Sequence, residues 1–227
     1  MSIYYQDDYV TLYHGDCLTE HREWLTADVL VTDPPYGRAW KQGALKGHPR
    51  NEQSAGIAND ETTGVRDDAL AAWGADRRAI AFGDLMLAPP VGTKHVLIYL
   101  KDNVAGLRGA IGGIRRDAEA IYLMGKWPSG IGGRTSVFAT AQKISGAHGA
   151  VAKAGGHPHT KPSDVMGALI GLTEGTIADP FGGGGSTAVA AKLQGRKIIT
   201  VELEEKYCEI IAKRCAQDVL DIFGAAS

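Results

Sequence analysis

The fold is decided by residues 175–202, which read GTIADPFGGGGSTAVAAKLQGRKIITVE. A short apolar run leads into four consecutive glycines, a helical spacing of small apolar residues follows, and a second β-rich run ends the stretch. Gly195 lies between the helical part and the second run, where a glycine in the left-handed conformation commonly closes a helix. The order of strand, helix and strand predicts two parallel strands with a covering helix.

The same alternation continues along the rest of the chain. Apolar runs predict strands at 10–14, 28–32, 79–82, 95–100, 120–124, 175–178 and 197–201, and helical spacing predicts helices at 67–73, 163–172, 186–194 and 204–220. We therefore predict an α/β fold, a single Rossmann-like domain with a mostly parallel central sheet. The glycine-rich stretch 103–156 breaks the pattern and predicts a small loop-rich insertion beside the sheet, with a hairpin around 120–124.

Length and composition limit the class of protein. The 227 residues fit one domain, and 44% apolar with 22% charged residues is typical of a globular chain. The N-terminal sequence lacks the features of a signal peptide and no apolar window reaches 18 residues, so we expect a soluble, cytoplasmic protein. The three cysteines form no CxxC pair, which argues against a disulfide framework and favours small buried side chains.

The first motif with chemical meaning is Asp33-Pro34-Pro35-Tyr36, which directly follows the predicted strand 28–32. Open α/β sheets bind their ligands at the carboxyl ends of strands. The two prolines remove backbone donors and stiffen the chain, so carbonyl oxygens and the Asp33 carboxylate form a rigid set of acceptors. Tyr36 adds a ring for stacking. This combination suits an exocyclic amine on a heteroaromatic ring.

The second motif is the glycine-rich turn before the helix at 186–194. Such a turn lets backbone N–H groups approach a ligand at the helix N-terminus. It is not a phosphate loop, because no lysine precedes Ser186, and it lacks the dinucleotide fingerprint, which requires glycine at the position of Thr187. Glu202 ends the next strand about 20 residues beyond the turn, where an acid accepts hydrogen bonds from ribose hydroxyls.

Charge is spread unevenly along the chain. Residues 1–37 carry one base and seven acids, whereas 38–50 carry four bases and no acid, and 101–160 carry eight bases and three acids. Such basic stretches suit a surface that faces a polyanion. A solvated basic face is the alternative interpretation.

Together the motifs resemble those of the S-adenosylmethionine-dependent DNA amino-methyltransferases, which methylate adenine N6 or cytosine N4. DPPY at 33–36 matches that family's catalytic motif, and DPFGGGGST at 179–187 resembles its cofactor motif, DPFxGSGTT. HPHTKP at 157–162 resembles the HPTQKP element, and the sequence GDC at 15–17 resembles a turn that contacts the cofactor adenine. The order, with the catalytic motif first, is that of the β class.

The resemblance implies a role for each matching residue. It implies four catalytic residues, Asp33, Pro34, Pro35 and Tyr36. It implies a larger cofactor-binding set, namely Asp16, Cys17, Lys161, Pro162, Asp179, Phe181, Gly182, Gly183, Gly185, Ser186, Thr187 and Glu202. The basic stretches supply candidate nucleic-acid contacts, namely Arg38, Lys41, Arg115, Arg116, Lys126 and Arg134. We expect no metal site, because His157 and His159 lack further ligands at suitable spacing.

The resemblance also implies an organisation and a reaction. One methyltransferase domain would span 1–227, with a catalytic part at 1–102, a recognition insertion at about 103–156 and a cofactor-binding part at 157–227. The expected reaction moves a methyl group from S-adenosylmethionine to adenine N6 of double-stranded DNA, by direct attack of a flipped base. The expected assembly is a monomer or a homodimer.

The sequence is compatible with several alternative functions. Asp at the first position of the motif favours adenine, whereas cytosine-N4 enzymes more often have Ser there. Cytosine-N4 methylation is therefore the alternative reaction. A catalytically silent DNA-binding relative, an enzyme for RNA or another amine, and a nucleotide-dependent oxidoreductase are further hypotheses.

Overall fold

The computed structural model of the protein describes residues 2–39, 58–101, 112–130, 132–140 and 160–217. Nine strands lie in these residues: β1 (Ile3–Gln6), β2 (Val10–His14), β3 (Val29–Thr32), β4 (Ala79–Gly83), β5 (Thr93–Leu100), β6 (Ala118–Met124), β7 (Val137–Ala139), β8 (Ile177–Asp179) and β9 (Ile198–Glu202). The same residues contain four α-helices: α1 (Gly64–Trp73), α2 (Ser163–Ile170), α3 (Ser186–Leu193) and α4 (Glu205–Ala216). In the described residues, none of the helices is long and apolar enough to cross a membrane.

All nine strands form one sheet in the order β1-β2-β9-β8-β3-β4-β6-β5-β7. Five of the strand pairs are parallel. The strands β1 and β6 run against the others and form the three antiparallel pairs. The prediction of an α/β fold with a mostly parallel sheet is confirmed.

The order of the strands reverses between β3 and β8, which are neighbours in the centre of the sheet. From β3 the chain continues through α1 to β4 on one side, and from β8 it continues through α3 to β9 on the other. Such a reversal opens a crevice at the carboxyl ends of the two strands. The DPPY turn leaves β3 and the glycine-rich turn leaves β8, so this topology places both motifs at one crevice.

Helices cover both faces of the sheet. Alternation along each strand sends Val29 and Val31 into one buried cluster and Leu30 into the other. The first cluster packs against α2, α3 and α4, and the second packs against α1 and a 3₁₀ turn at Glu23–Thr26. Helix α4 shows the pattern that produces this packing, because its buried residues Cys208, Ile211 and Cys215 recur every three or four positions.

The prediction for residues 103–156 was wrong in one respect. Instead of a hairpin beside the sheet, Ala118–Met124 forms β6, which lies inside the sheet between β4 and β5. Four consecutive buried residues, 119–122, are typical of such a central position. A second strand from this stretch, Val137–Ala139, extends the sheet as β7. Residues 103–111, 131 and 141–156 of the predicted insertion lie outside the described residues.

Candidate functional site

One cavity joins the two motifs at the carboxyl edge of the sheet. Its walls include residues 33–36 on one side and residues 179–184 with Glu202 on the other. Further lining residues come from the turn after β2 and from the segment before α2, namely Gly15, Asp16, Cys17, Thr160 and Lys161. The Thr32 hydroxyl donates a hydrogen bond of 2.7 Å to Oδ1 of Asp179, which fixes the two walls relative to each other.

The Asp33 carboxylate has a partner on each oxygen. The ammonium of Lys161 donates to Oδ2 at 2.5 Å, and the Tyr36 hydroxyl donates to Oδ1 at 2.9 Å. Burial raises the pKa of Asp33, and the positive charge of Lys161 partly offsets that effect. The sequence predicted Lys161 as a cofactor contact, and in the structure its side chain reaches the DPPY turn.

The exit of this turn is held by Asp60, a residue that sequence reasoning missed. Its Oδ1 accepts a hydrogen bond of 2.8 Å from the Gly37 N–H, and its backbone oxygen accepts from the Ala39 N–H. Gly37 has a φ of +78°, and a Cβ atom there would meet the backbone of Thr62 at 2.7 Å. The close approach therefore requires glycine at position 37. Nothing in the sequence near Asp60 indicates this partnership.

Glu119 is a further acid beside the DPPY turn that the sequence did not reveal. It lies on β6, and its side chain is 9% exposed. Its Oε2 lies 3.0 Å from the Tyr36 hydroxyl oxygen, a hydrogen-bond distance, and 3.4 Å from Nζ of Lys161, and its Oε1 lies 2.5 Å from Nζ of Lys101. The DPPY turn is thus part of a partly buried cluster of two carboxylates, two ammonium groups and one phenol.

The glycine-rich turn is shaped by contacts with β9 and α4. Gly182 N–H donates to the Val201 carbonyl at 2.8 Å, and a Cβ atom on Gly182 would lie 2.8 Å from the Thr200 hydroxyl. Arg214 Nη1 donates to the Gly184 carbonyl. The Ser186 hydroxyl donates to the Lys161 carbonyl at 2.8 Å, which brings the Lys161-Pro162 segment to the start of α3. Five of the predicted cofactor residues of this turn line the cavity, namely Phe181, Gly182, Gly183, Ser186 and Thr187, whereas Gly185 directly precedes α3 and is not among the lining residues.

Two buried acids lie at this end. Asp179 accepts from the Thr32 hydroxyl and, at 3.2 Å, from the Phe181 N–H, and burial raises its pKa to about 7. Glu202 accepts from the Gly183 N–H at 2.7 Å and from the Glu204 N–H at 2.8 Å, and burial raises its pKa to about 7 as well. The carboxylate of Glu202 has further lone pairs, so it can accept additional hydrogen bonds from a ligand.

The turn after β2 lies next to Glu202. The Gly15 N–H donates to the Glu202 carbonyl at 3.0 Å, and Asp16 Oδ1 accepts from the Leu18 N–H at 2.7 Å. Cys17, like Cys208 and Cys215, is buried and forms no disulfide. Burial raises the pKa of each of these thiols to about 12, so none is a thiolate nucleophile at neutral pH.

The predicted nucleic-acid contacts do not all come together. Arg38 follows the DPPY turn and pairs with Asp84, and burial and then the positive charge of Arg116 lower its pKa. Arg115 and Arg116 precede β6 at the edge where β5 ends, since Ala118 pairs with Leu100. These three arginines lie on the edge that carries the DPPY turn.

The other basic candidates lie elsewhere. Lys126 follows the end of β6, at the opposite edge of the sheet, and pairs with Asp76 at 3.1 Å. Arg134 precedes β7, the last strand of the sheet. Lys41, His157 and His159 lie outside the described residues. Within the described ranges, no group of three or more His, Cys, Asp or Glu side chains is arranged to hold a metal ion.

The fold and the site together define an α/β domain with a DPPY turn and a glycine-rich turn at one crevice. The family model of the N6/N4 methyltransferases, described as DNA methylase, matches residues 51–213. That match covers more than half of the chain, so the protein belongs to the DNA methylase family.

Curated relatives match over different lengths. The chain is 32% identical over 92 residues to the type II methyltransferase M.ScaI of Streptomyces caespitosus, an alignment that covers 39% of this chain and 30% of that protein. It is 28% identical over 205 residues to the putative methylase YubD of Escherichia coli, which covers 85% and 84% of the two chains. The alignment with M.ScaI therefore spans less than a third of that relative's length.

Solved structures share the fold. The complex of M1.HpyAVI with SAM superposes with a TM-score of 0.63 at 17% identity, covering 92% of this chain and all of the other. The PvuII DNA methyltransferase, described as cytosine-N4-specific, superposes with the same TM-score of 0.63 at 17% identity, covering 96% and 90% of the two chains. At this level of identity the likeness concerns the fold.

Proposed function

We propose that the protein is a methyltransferase that transfers the methyl group of S-adenosylmethionine to adenine N6 of double-stranded DNA. The observation that carries the proposal is the single cavity that runs from residues 33–36 to the glycine-rich turn and Glu202. A methyl donor and an amine must meet within van der Waals distance and in line for direct transfer. A cavity with an acceptor-rich turn at one end and a glycine-rich turn at the other provides both positions.

The cofactor would lie along the glycine-rich end. Glu202 would accept from the ribose hydroxyls, residues 16 and 17 would border the adenine, and residues 161 and 162 with residues 179–187 would border the methionine part. This assignment is supported by the way these segments surround one end of the cavity region. The bound cofactor supplies a sulfonium methyl group, and the protein supplies its orientation.

The target base would lie against the DPPY turn. The Asp33 carboxylate and the Pro34 carbonyl would accept hydrogen bonds from the two N–H groups of the amine, which makes the nitrogen lone pair more available. Tyr36 would stack on the base, and such stacking contributes about 1–3 kcal/mol per base. A base inside a duplex cannot reach this depth, so the reaction requires base flipping. Arg38, Arg115 and Arg116 would contact the DNA phosphates on the same edge.

Adenine is proposed as the target because Asp33 leads the PPY sequence, as in the resemblance described above. Cytosine N4 is the second candidate, because the family comprises both specificities and one structural neighbour is described as cytosine-N4-specific. The same acceptor array suits either amine.

The experiment is nucleoside analysis of double-stranded DNA after incubation with the protein and methyl-labelled S-adenosylmethionine. We expect labelled N6-methyladenine. If only labelled N4-methylcytosine appears, the protein is a cytosine-N4 methyltransferase. Cofactor binding without any labelled base would indicate a catalytically inactive DNA-binding relative. Asp33→Ala should abolish transfer and leave cofactor affinity largely unchanged, which separates a catalytic role from a binding role.

A further inference from the structure

Methyl transfer to an amine releases a proton that has to leave a closed site. The nitrogen lone pair forms the new N–C bond, the electrons of the S–C bond stay on sulfur, and the methylated nitrogen then carries one proton too many. If the proposed function holds, Asp33 is the carboxylate that touches this nitrogen and receives its proton. The Asp33 side chain is 25% exposed and opens onto the cavity. The cofactor and the base would cover it there, so the proton would have to leave Asp33 through a neighbouring protein group.

We propose that the Tyr36 hydroxyl and the Glu119 carboxylate form a proton relay that carries this proton from Asp33 away from the reacting nitrogen. The inference rests on the proposed function and adds a residue to it. Glu119 does not touch the substrate in this scheme and acts through Tyr36.

The Tyr36 hydroxyl lies between the two carboxylates. Its oxygen lies 2.9 Å from Asp33 Oδ1 and 3.0 Å from Glu119 Oε2, both hydrogen-bond distances. A phenol has one hydrogen, so it donates to only one of two ionised carboxylates. When Asp33 takes up a proton, its O–H donates to Tyr36 and Tyr36 donates to Glu119. The three oxygens thus form a continuous hydrogen-bonded chain only after one proton has been added.

Two coupled proton transfers along this chain move one proton from Asp33 to Glu119. Asp33 gives its proton to the phenol oxygen while the phenol gives its own to Glu119 Oε2, and the phenol is neutral before and after. Burial and the two carboxylates raise the pKa of Tyr36 well above its ordinary value, so the phenol keeps a hydrogen throughout. The product is a protonated Glu119 and an Asp33 carboxylate that is ready for the next amine.

The surrounding charges suit this role. Before transfer, two carboxylates face two ammonium groups, because Lys161 Nζ lies 2.5 Å from Asp33 and Lys101 Nζ lies 2.5 Å from Glu119. Arg38 also lies nearby and is paired with Asp84. Lys101, which lines the same cavity as Asp33 and Glu119, is 20% exposed, whereas Lys161 is 4% exposed, so within this cluster the Glu119 carboxylate has the ammonium partner that lies nearer to solvent.

A purely structural role for Glu119, as a counter-ion that holds Lys161 in place, makes different predictions. Glu119→Gln keeps the shape and can still accept a hydrogen bond from Tyr36, but it takes up no proton. Tyr36→Phe keeps the ring and removes the hydroxyl. A change to Gln at Glu23, which lies in the 3₁₀ turn and outside the cavity lining, is the matched control.

The test is single-turnover methyl transfer with DNA and labelled cofactor both bound, measured from pH 6 to pH 9, with cofactor affinity measured in parallel. We expect Glu119→Gln and Tyr36→Phe each to slow transfer by about tenfold or more at neutral pH, since positioned acid–base groups typically contribute about 10²–10⁴-fold. The deficit should shrink as pH rises, because solvent hydroxide then accepts the proton, and cofactor affinity should stay within about twofold of wild type. Glu23→Gln should behave as wild type.

Wild-type rates in either variant would overturn the relay. So would an equal deficit at every pH, or a loss that follows weakened cofactor binding, because both indicate a structural role. Tyr36→Phe keeps the test decisive if Glu119→Gln fails to fold. A wild-type protein that methylates no DNA would overturn the proposed function and the relay together, whereas an active wild type with unaffected variants would overturn the relay alone.

Discussion

The Thr32 hydroxyl donates a 2.7 Å hydrogen bond to Asp179 across 147 positions of the chain. Thr32 ends β3 and Asp179 ends β8, and both are almost fully buried. The bond therefore joins the two strand ends from which the DPPY turn and the glycine-rich turn depart. The strands β3 and β8 are also paired through their backbones, so this side-chain bond adds a second link at the ends from which the two motifs depart.

Removal of this bond should lower stability. Thr32→Val keeps the shape of the side chain but takes a hydrogen-bond donor from the buried Asp179 carboxyl, which costs about 1–3 kcal/mol. Urea unfolding measures the loss. Thr200→Val is the matched control, since Thr200 is fully buried and its hydroxyl has no hydrogen-bond partner among the described residues. That control should be neutral or stabilising, and an equal loss in both variants would contradict the argument.

Glu202 should control cofactor affinity in a pH-dependent way. Removing a charged acceptor is worth about 1.5–3 kcal/mol, so Glu202→Ala should weaken binding by about ten- to a hundredfold at pH 8. With the pKa of Glu202 raised to about 7, the carboxyl gains a proton as pH falls through 7, and wild-type affinity should fall with it. Isothermal titration with S-adenosylmethionine from pH 6 to pH 8.5 measures this.

Two glutamate-to-glutamine variants, which keep the shape of the side chain, complete the cofactor titration. Glu202→Gln should show weaker binding and a flatter pH profile, and Glu209→Gln, on the exposed side of α4, should match wild type. A pH profile that is unchanged in Glu202→Gln would assign the titration to another group, Asp179 first.

The same acid should affect the stability of the unliganded protein in the opposite sense. Its pKa is about 7 in the folded protein against an ordinary value of 4.5, so the folded state binds the proton more tightly than the unfolded state. Stability should therefore fall as pH rises from about 4.5 to about 7, and level off above. Glu202→Gln should reduce this fall in urea unfolding at pH 5 and pH 8, and an unchanged difference between the two pH values would contradict the assignment.

The two arginines before β6 should contribute to DNA binding through phosphates. Each phosphate contact makes the negative slope of log K against log salt steeper by about 0.9, so neutralising Arg115 and Arg116 together should make the slope less steep by up to about 1.8. Fluorescence anisotropy with duplex DNA between 50 and 200 mM salt measures it. Lys126→Ala should leave the slope unchanged, because Lys126 lies at the opposite edge of the sheet. An equal effect of Lys126→Ala would contradict the proposed DNA-facing edge.

The sequence predicts which residues lie at the carboxyl edge of the sheet only where they follow parallel strands. Asp33 and Asp179 could be placed together in advance, because each follows an apolar run and parallel strands end at one edge. Arg116 and Lys126 look alike in the sequence, yet the seven-residue strand β6 separates them by about 20 Å at roughly 3.3 Å per residue. Sequence spacing does not reveal which edge each end of a strand faces until the direction of the strand is known.

Glu119 could not be predicted for a related reason. Its proximity to Tyr36 depends on β6 entering the sheet antiparallel between β4 and β5, which is a choice of pairing partner over a long chain separation. The recognisable motifs lie at turns, whereas Glu119 lies inside an apolar run. Lys161 was found through its motif, but only the structure shows that its ammonium reaches Asp33.

The conformation of Gly37 offers a test of the DPPY turn that leaves its catalytic groups untouched. Gly37 and Gly92 have similar φ angles, +78° and +86°, but a Cβ atom at Gly37 would lie 2.7 Å from the Thr62 backbone, while one at Gly92 would meet nothing within 4 Å. Alanine at either position should cost about 1–2 kcal/mol for the left-handed backbone. At Gly37 the clash should add about 1–3 kcal/mol and displace the turn.

Urea unfolding and methyl-transfer rates of Gly37→Ala and Gly92→Ala separate the two effects. We expect both variants to lose stability and only Gly37→Ala to lose most of its transfer rate, because the Asp60 contact that holds the end of the turn depends on the backbone position of Gly37. If Gly37→Ala retained wild-type transfer at a temperature where it is folded, the turn would tolerate displacement. That result would contradict the idea that the two prolines and Asp60 hold Asp33 in the position that transfer requires.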